Sequence, residues 1–524
     1  MSASDDRLVR AMLAPAAYPH PVAAVRMIET HISWVFLTGA FVYKVKKPCA
    51  LGFLDFSTLE RRRRFCHEEV RVSGRFAPGL YLGAVPITGD PDHPRVGGEG
   101  TAFEWAVKLV QFDEANRLDA IFDRGELGPH ECERLGAEIA AVQGTLAVAG
   151  PDTPWGSVES LLDAATLNLT QLRGLRPDVI ARIEAVGGWL GRRLESLRGL
   201  LEARKAAGLV RDCHGDLHLA NIVRHEGRMT AFDAIEFNDA LRWIDVAADV
   251  AFLTMDLESR GRADLASHVT SAWIEASDDH GAAAVLPAYE AYRAVVRAAV
   301  AAIRGGQHQA AATGRAHAET DRYLDLATRL AGPRRAVLFA TSGASGSGKT
   351  TLASALVGAG GAVRIRSDVE RKRLAGMAAH QRPGDGAAAC ALYDADMTRR
   401  VYDRLARLAG TVLAAGTSVV IDAANTLRWQ RELVARTARA AGVPLVWLDF
   451  DVPPGVLLDR VVARAAGGHD ASDACSDVVR AQLASREPLR VAEATAAGAT
   501  LHRVTPRELA DPTFAARVVA MTPG

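Results

Sequence analysis

The sequence predicts a multidomain protein, an α+β region followed by an α/β domain built on a parallel sheet. Three observations carry this expectation. The chain has 524 residues, beyond the size at which one hydrophobic core keeps growing. After Gly332-Pro333-Arg334-Arg335, the best linker, the texture turns to strands alternating with helices, the pattern of a parallel sheet covered on both faces. Two dense groups of chemistry-bearing residues lie on either side of that linker, at 212–250 and 343–350. The expected domains are therefore 1–332 and 333–524, the first splitting into a small lobe at about 30–112 and a large lobe at about 113–332.

Composition narrows the function classes. Apolar residues make up 49% and charged residues 24%, as in ordinary folded domains. Lys plus Arg equals Asp plus Glu, 62 against 62, so no electrostatic footprint marks a dedicated nucleic-acid binder. The six cysteines show no CxxC spacing and read as free thiols, not a disulfide framework or zinc site. With no signal-peptide pattern and no apolar run of spanning length, the expected location is cytoplasmic.

The elements follow in order. Residues 1–30 are helix-prone, and runs at 32–37 and 41–45 flank Thr38-Gly39-Ala40 as a hairpin. Ser57 or Thr58 can cap a helix over 59–76, whose Arg61, Arg62, Arg63 and Arg64 read as a solvated face paired with Glu68 and Glu69. Strands are expected at 81–87 and 103–112, helices over 119–206, a β-rich interruption at 210–237, and helices again to 331. Beyond the linker, strands at 336–341, 363–365, 418–421 and 445–450 alternate with helices.

Gly343-Ala344-Ser345-Gly346-Ser347-Gly348-Lys349-Thr350 fits G-x-x-x-x-G-K-[ST] at every fixed position, between an apolar strand and a helix-forming run that opens with Thr351. Glycines let successive backbone N–H groups turn toward phosphates, and the helix N-terminus adds its positive dipole end. Lys349 would reach the β/γ-phosphates of ATP, and the Thr350 hydroxyl would hold Mg²⁺. Residues 334–500 resemble P-loop kinases of small hydroxyl acceptors, of the polynucleotide-kinase and gluconate-kinase types. The resemblance implies that Asp368, after Arg364-Ile365-Arg366-Ser367, orients or deprotonates the acceptor hydroxyl; a helix N-cap is the competing role. It also implies a D-x-x-N at Asp422 to Asn425, with Asp422 a further metal group. Arg460 and Arg464 share a helix face and resemble lid arginines ahead of a Gly/Asp-rich segment at 467–473.

In the first region, Cys213-His214-Gly215-Asp216-Leu217-His218-Leu219-Ala220-Asn221 and the later Asp233 have the spacing of a kinase catalytic loop. The HGD start resembles the aminoglycoside phosphotransferase family, whose superfamily includes choline, homoserine and fructosamine kinases. By that resemblance Asp216 is the base, Asn221 and Asp233 are magnesium ligands, His214 braces the loop, and Asp245 helps fix it. Phe41-Val42-Tyr43-Lys44-Val45-Lys46 resembles the strand whose Lys pairs with ATP phosphates. Lys44 and Lys46 point to one face, with Lys44 the better fit, and Glu68 and Glu69 compete as the carboxylate partner. Residues 109–112 resemble the hinge strand that contacts adenine. No G-x-G-x-x-G precedes them, only Gly39. Asp256 and Glu258 are candidate acidic groups for a cationic acceptor.

The expected function is a bifunctional ATP- and Mg²⁺-dependent phosphotransferase acting on small-molecule hydroxyls. The alternatives are that one module only binds nucleotide as a regulator, or that the P-loop module is a polynucleotide-type kinase.

Overall fold

The computed structural model describes residues 3–51, 54–306, 310–378, 381, 392–467 and 476–522. The chain forms two compact units. One comprises Met1–Leu127, Ala141–Asp256 and Val295–His308; the other Gly128–Ala140, Leu257–Ala294 and Gln309–Gly524. The chain is multidomain, with an α+β unit and a unit built on a five-stranded parallel sheet.

The first unit opens with a six-stranded antiparallel sheet: β1 (Arg26–Glu29), β2 (Ser33–Leu37), β3 (Phe41–Lys46), β4 (Tyr81–Asp90), β5 (His93–Val96) and β6 (Glu104–Val110), in the order β1-β2-β3-β6-β4-β5. β1 departs from the helix-prone reading of residues 1–30. The helix there ends at Met12, and Met27 and Ile28 pair with Phe36 and Val35. Alternation splits the sheet's side chains: Trp34, Phe36, Tyr43 and Val45 share one core cluster, while Val42, Leu37, Val107 and Leu109 share another with Cys66. Cys66 belongs to the Leu59–Ser73 helix, capped by Thr58, whose hydroxyl accepts from Arg61 N. One expected solvated residue of that helix, Arg62, is buried instead and forks onto Glu104 at 2.9 and 3.0 Å. Helices Val158–Leu175, Ile180–Ser196 and Arg198–Ala206 follow. Two short ladders then frame the key loop, β7 (Val210–Asp212) with β10 (Trp243–Asp245), and the hairpin β8 (Ile222–His225) with β9 (Arg228–Ala231).

The second unit contains the all-parallel sheet of β11 (Leu338–Ser342), β12 (Val363–Arg366), β13 (Val419–Asp422), β14 (Leu445–Phe450) and β15 (Thr500–Val504). Their order is β12-β13-β11-β14-β15. The chain leaves β11 toward one side of the sheet and later crosses to the other. That makes the carboxyl end of β11 the switch point, where open α/β sheets bind ligands. Phe339, Val420, Val446, Leu448 and Phe450 pack against Leu352 and Leu356 of the Lys349–Gly360 helix and Phe514 and Val518 of the Phe514–Ala520 helix. Among the described residues no helix is long and apolar enough to cross a membrane.

Candidate active sites

In the first unit the period of β3 sets the chemistry. Lys44 and Lys46 lie on the face covered by the Leu59–Ser73 helix, and both reach Glu69. Lys44 Nζ donates to Glu69 Oε1 at 3.0 Å and to Asp233; Lys46 Nζ donates to Glu69 Oε2 at 2.7 Å and to Glu236. Glu69 is fully buried. Burial alone would raise its carboxyl, but Lys44 and Lys46 hold it down at about 2. The choice between the two lysines is thus a shared partner, and Glu68 turns away to Arg71 at 2.8 Å and Arg242 at 3.0 Å. Glu236, which sequence reasoning did not single out, is the second partner of Lys46.

Gly215 permits the loop that follows β7. Its φ is +85°, and an added Cβ would lie 2.7 Å from the Leu241 carbonyl oxygen. His214 is buried; its Nδ1 accepts from Asp216 N at 3.3 Å and its Nε2 lies 2.9 Å from the Phe232 oxygen, so Nε2 carries the proton. Burial lowers its pKa, which suits a neutral brace. The loop's main anchor is Asp249, which accepts from His214 N at 3.2 Å, Gly215 N at 2.9 Å and Gln143 Nε2 at 3.3 Å. Asp245, expected in that role, pairs with Arg204 through two 2.7 Å bonds. Four residues further on, in the Val246–Ser259 helix, Asp249 faces the loop. Asp256, a sequence candidate for an acceptor cleft, is buried and accepts from Leu219 N at 3.2 Å.

Asn221 Nδ2 donates to both Asp216 Oδ2 and the Asp216 carbonyl at 3.0 Å, leaving its own amide oxygen for another partner. Asp233 takes φ +62° just past the hairpin, and its N–H donates to Tyr81 Oη at 2.9 Å. Phe232 N donates to the Asn221 carbonyl at 2.9 Å. This bond and the His214 bond tie the Asp216 and Asp233 ends of the site together. The oxygen donors of Asn221 and Asp233 suit Mg²⁺.

Burial would raise the Asp216 carboxyl, but His218, 3.5 Å away, and Arg297 hold it below the usual carboxylate range. Because the folded value is depressed, the ionised form contributes stability above the unfolded value of about 4, lost as pH falls through the folded value. His218→Ala is therefore expected to move the acid limb of this module's pH–rate profile upward. An unmoved limb would show that Asp216 is not the titrating base.

In the second unit the 343–350 turn leaves β11 at the switch point. Gly343, Gly346 and Gly348 take φ of +154°, +85° and +98°, and a Cβ on Gly348 would lie 2.5 Å from Leu509 Cδ2. The turn borders a cleft of about 640 Å³. Lys349 Nζ donates to the Ala344 carbonyl at 2.8 Å. The Thr350 hydroxyl bonds Asp422, a buried carboxyl that burial raises and Arg364, Lys349 and Arg366 oppose. This oxygen pair also suits Mg²⁺, and the glycine turn is a phosphate-sized cradle that side chains would fill. Asn425 is buried and donates from Nδ2 to the Thr341 carbonyl at 2.7 Å, so it fixes the end of β11.

Asp368 lines the cleft in the first turn of the Ser367–Leu374 helix. The N-cap position belongs to Arg366, with no side-chain cap bond, so the carboxylate is not used as a cap. Arg371, one turn on, also lines the cleft while only 7% exposed. Its Nη1 donates to the Leu392 carbonyl at 2.7 Å and Thr398 Oγ1 at 3.3 Å, and its guanidinium lies 4.7 Å from the Tyr393 ring. Its Nε has no partner, and no carboxylate among the described residues pairs with it. Arg460 Nη1 donates to the Gly346 carbonyl at 3.3 Å. The Arg464 side chain and residues 468–473 of the expected lid lie outside the described residues. Gln482 joins the site unforeseen, its Oε1 accepting from Ser345 N at 2.8 Å. A glutamine in a polar helix has no local signal for such a role.

A family profile described as "AAA domain" matches residues 338–489. Uncharacterized proteins of Mycobacterium bovis and Mycobacterium tuberculosis (strain H37Rv) are each 30% identical over 478 residues, covering 89% of this chain and 92% of theirs. Among solved structures, a putative kinase from Chloroflexus aurantiacus is 19% identical, with 36% of this chain and 100% of that chain covered and a TM-score of 0.29. A choline/ethanolamine kinase family protein from Mesorhizobium loti is 13% identical, with 62% and 99% covered and a TM-score of 0.35. A gluconokinase from Sinorhizobium meliloti is 21% identical, with 36% and 89% covered and a TM-score of 0.24.

Proposed function

We propose, for a chain that belongs to one family with these mycobacterial proteins, that it is a bifunctional ATP-dependent phosphotransferase with two kinase modules acting on small-molecule hydroxyls. The observation that carries this reading is duplication. Each unit holds its own candidate lysine for the phosphates, its own candidate pair of oxygen donors for Mg²⁺ and its own candidate base. In the first unit these are Lys44 on Glu69, Asn221 with Asp233, and Asp216. In the second they are Lys349, Thr350 with Asp422, and Asp368.

In either module Mg²⁺, when bound with ATP, neutralises phosphate charge; the chain's own groups do the rest. Asp216 takes the proton of the acceptor hydroxyl as its oxygen bonds the γ-phosphorus and the bond from that phosphorus to the ADP oxygen breaks, and His214 and Asp249 hold the loop that aims it. Lys44 draws charge from the phosphates while Glu69 keeps it extended. In the second module the glycine turn and Lys349 hold the phosphates and Arg460 stands at the rim. Asp368 takes the acceptor proton. The Arg371 guanidinium, which lines the cleft with Asp368 and forms no ion pair among the described residues, favours an acceptor with a carboxylate or phosphate next to its hydroxyl. A phosphorylated nucleic-acid end presents the same chemistry, so the polynucleotide-type reading is an arm of the test.

The test is a panel of small hydroxyl acceptors, neutral, cationic and anionic, plus a short oligonucleotide. It is run with γ-labelled ATP, and label transfer is measured beside ADP release. Two separable transfers are expected, one to an anionic acceptor. ADP release with no label transfer to any acceptor would sink the kinase reading.

A further inference from the structure

Two arginines of the edge strand beside the P-loop cleft are neutralised from outside the matched segment 338–489. Arg364 and Arg366 are two apart on the edge strand β12, so both project to one face. Arg366 sits opposite Asp422 in the parallel register. On that face a second cleft of about 420 Å³ is lined by both arginines, Thr350, Glu133 and His268. Arg366 Nε donates to Glu275 Oε2 at 2.7 Å and its Nη2 to Glu275 Oε1, a fork with both side chains more than four-fifths buried. Arg364 Nη2 lies 3.5 Å from Glu133 Oε2, and the other Glu133 oxygen meets Ser354 Oγ at 2.9 Å and His268 Nδ1 at 3.1 Å. Burial pushes Glu133 up, yet His268 and Arg364 hold it at about 2.

The helices that bring these acids are seated closely. An added Cβ on Gly136 of the Pro129–Thr145 helix would lie 2.4 Å from the Val269 carbonyl oxygen, and one on Gly358 would lie 3.0 Å from His268 Nε2. Ser271 Oγ, on the Ala263–Ser277 helix with Glu275, accepts from Arg364 N at 3.0 Å and so covers the open edge of the sheet. Lys349, Arg364 and Arg366 all act on Asp422. Three cations facing one carboxylate would occupy it unless two were neutralised elsewhere.

We infer that Glu133 and Glu275 are positioning residues of the P-loop site, which hold Arg364 and Arg366 away from Asp422 and leave that carboxylate free for a divalent cation. The inference rests on the reading of Thr350 and Asp422 as the cation's ligands. It makes the segment before the linker part of the P-loop site's electrostatics.

The test uses the full chain and reads binding, not turnover: ADP titrated by calorimetry in EDTA and across a range of Mg²⁺ concentrations. Wild type is expected to gain ADP affinity with Mg²⁺. Glu275→Gln should keep the EDTA affinity but need about tenfold more Mg²⁺ for half of that gain. The double variant Glu275→Gln/Arg366→Gln, which removes both charges, should return the Mg²⁺ requirement toward wild type. An unchanged requirement in Glu275→Gln, or a double variant as impaired as the single, overturns the inference; a purely structural role would lower Tm without moving Mg²⁺ dependence. If Glu275→Gln does not fold, Glu133→Gln and the double variant carry the same comparison. An ADP stoichiometry that stays at the wild-type value in Lys349→Ala would instead sink the reading of the P-loop as a nucleotide site, and this inference with it.

Discussion

Asp216→Ala is expected to cut one of the two transfer activities by about 10²- to 10⁴-fold, the usual contribution of a positioned general base. It should leave the other activity, and nucleotide binding at the P-loop, untouched. Lys349→Ala is expected to do the reverse. The asymmetry follows from where each group sits. Asp216 belongs to a loop anchored within the first unit by Asp249 and Asp256, and none of its named contacts is to a phosphate-facing group of the P-loop. Lys349 emerges from the 343–350 turn in the second unit. Sites that share no partners behave additively, so the double variant should lose both activities by the two separate factors. The decisive measurement is label transfer to each acceptor, with ADP binding as the control for folding. If Asp216→Ala leaves every transfer intact, the first module is a nucleotide-binding regulator and only the P-loop module is catalytic.

How much of this was readable beforehand depended on whether a feature is local. The 343–350 motif dictates its own backbone through three glycines at positive φ, so motif and geometry are nearly the same statement. The HGD loop is similar: Gly215 has no room for a Cβ. Lys44 was the better fit but Lys46 stayed open because a period of two places both on one face, and only the third dimension shows them sharing Glu69. Asp245 and Asp249 lie four residues apart, and which of them reaches the loop depends on where the strand ends and the helix begins. β1 was missed because four residues with polar ends carry too little alternation to outweigh a helix-prone stretch. The glutamates that neutralise Arg364 and Arg366 could not be found at all from sequence. Glu275 is 91 residues from its arginine, and no local pattern encodes a pairing at that distance.

Arg371→Met is expected to impair function while raising stability, and the two signs together test its assignment as the acceptor's anion site. A guanidinium 7% exposed, with an unsatisfied Nε and no carboxylate among its partners, retains a desolvation penalty of several kcal/mol. Its neutral bonds to the Leu392 carbonyl and Thr398 only partly offset that. Methionine puts an apolar stem in place of the guanidinium over the Tyr393 ring, and Thr398 lines the cleft, where water can replace the lost donor. A net gain of about 1 kcal/mol would raise Tm by roughly 2–4 °C in a unit of this size. An anionic acceptor, by contrast, loses a charge-assisted bond of about 1.5–3 kcal/mol, so its KM should rise roughly 10- to 100-fold while the KM for ATP stays put. Arg371→Lys should fall between, because it keeps the charge but not the planar fork. A drop in Tm with the acceptor KM unchanged would mean that the arginine only holds Leu392 and Thr398 in place. Stability withheld at a residue that improves when removed is the usual mark of a group kept for its ligand, and in this cleft that ligand would be an anion beside Asp368.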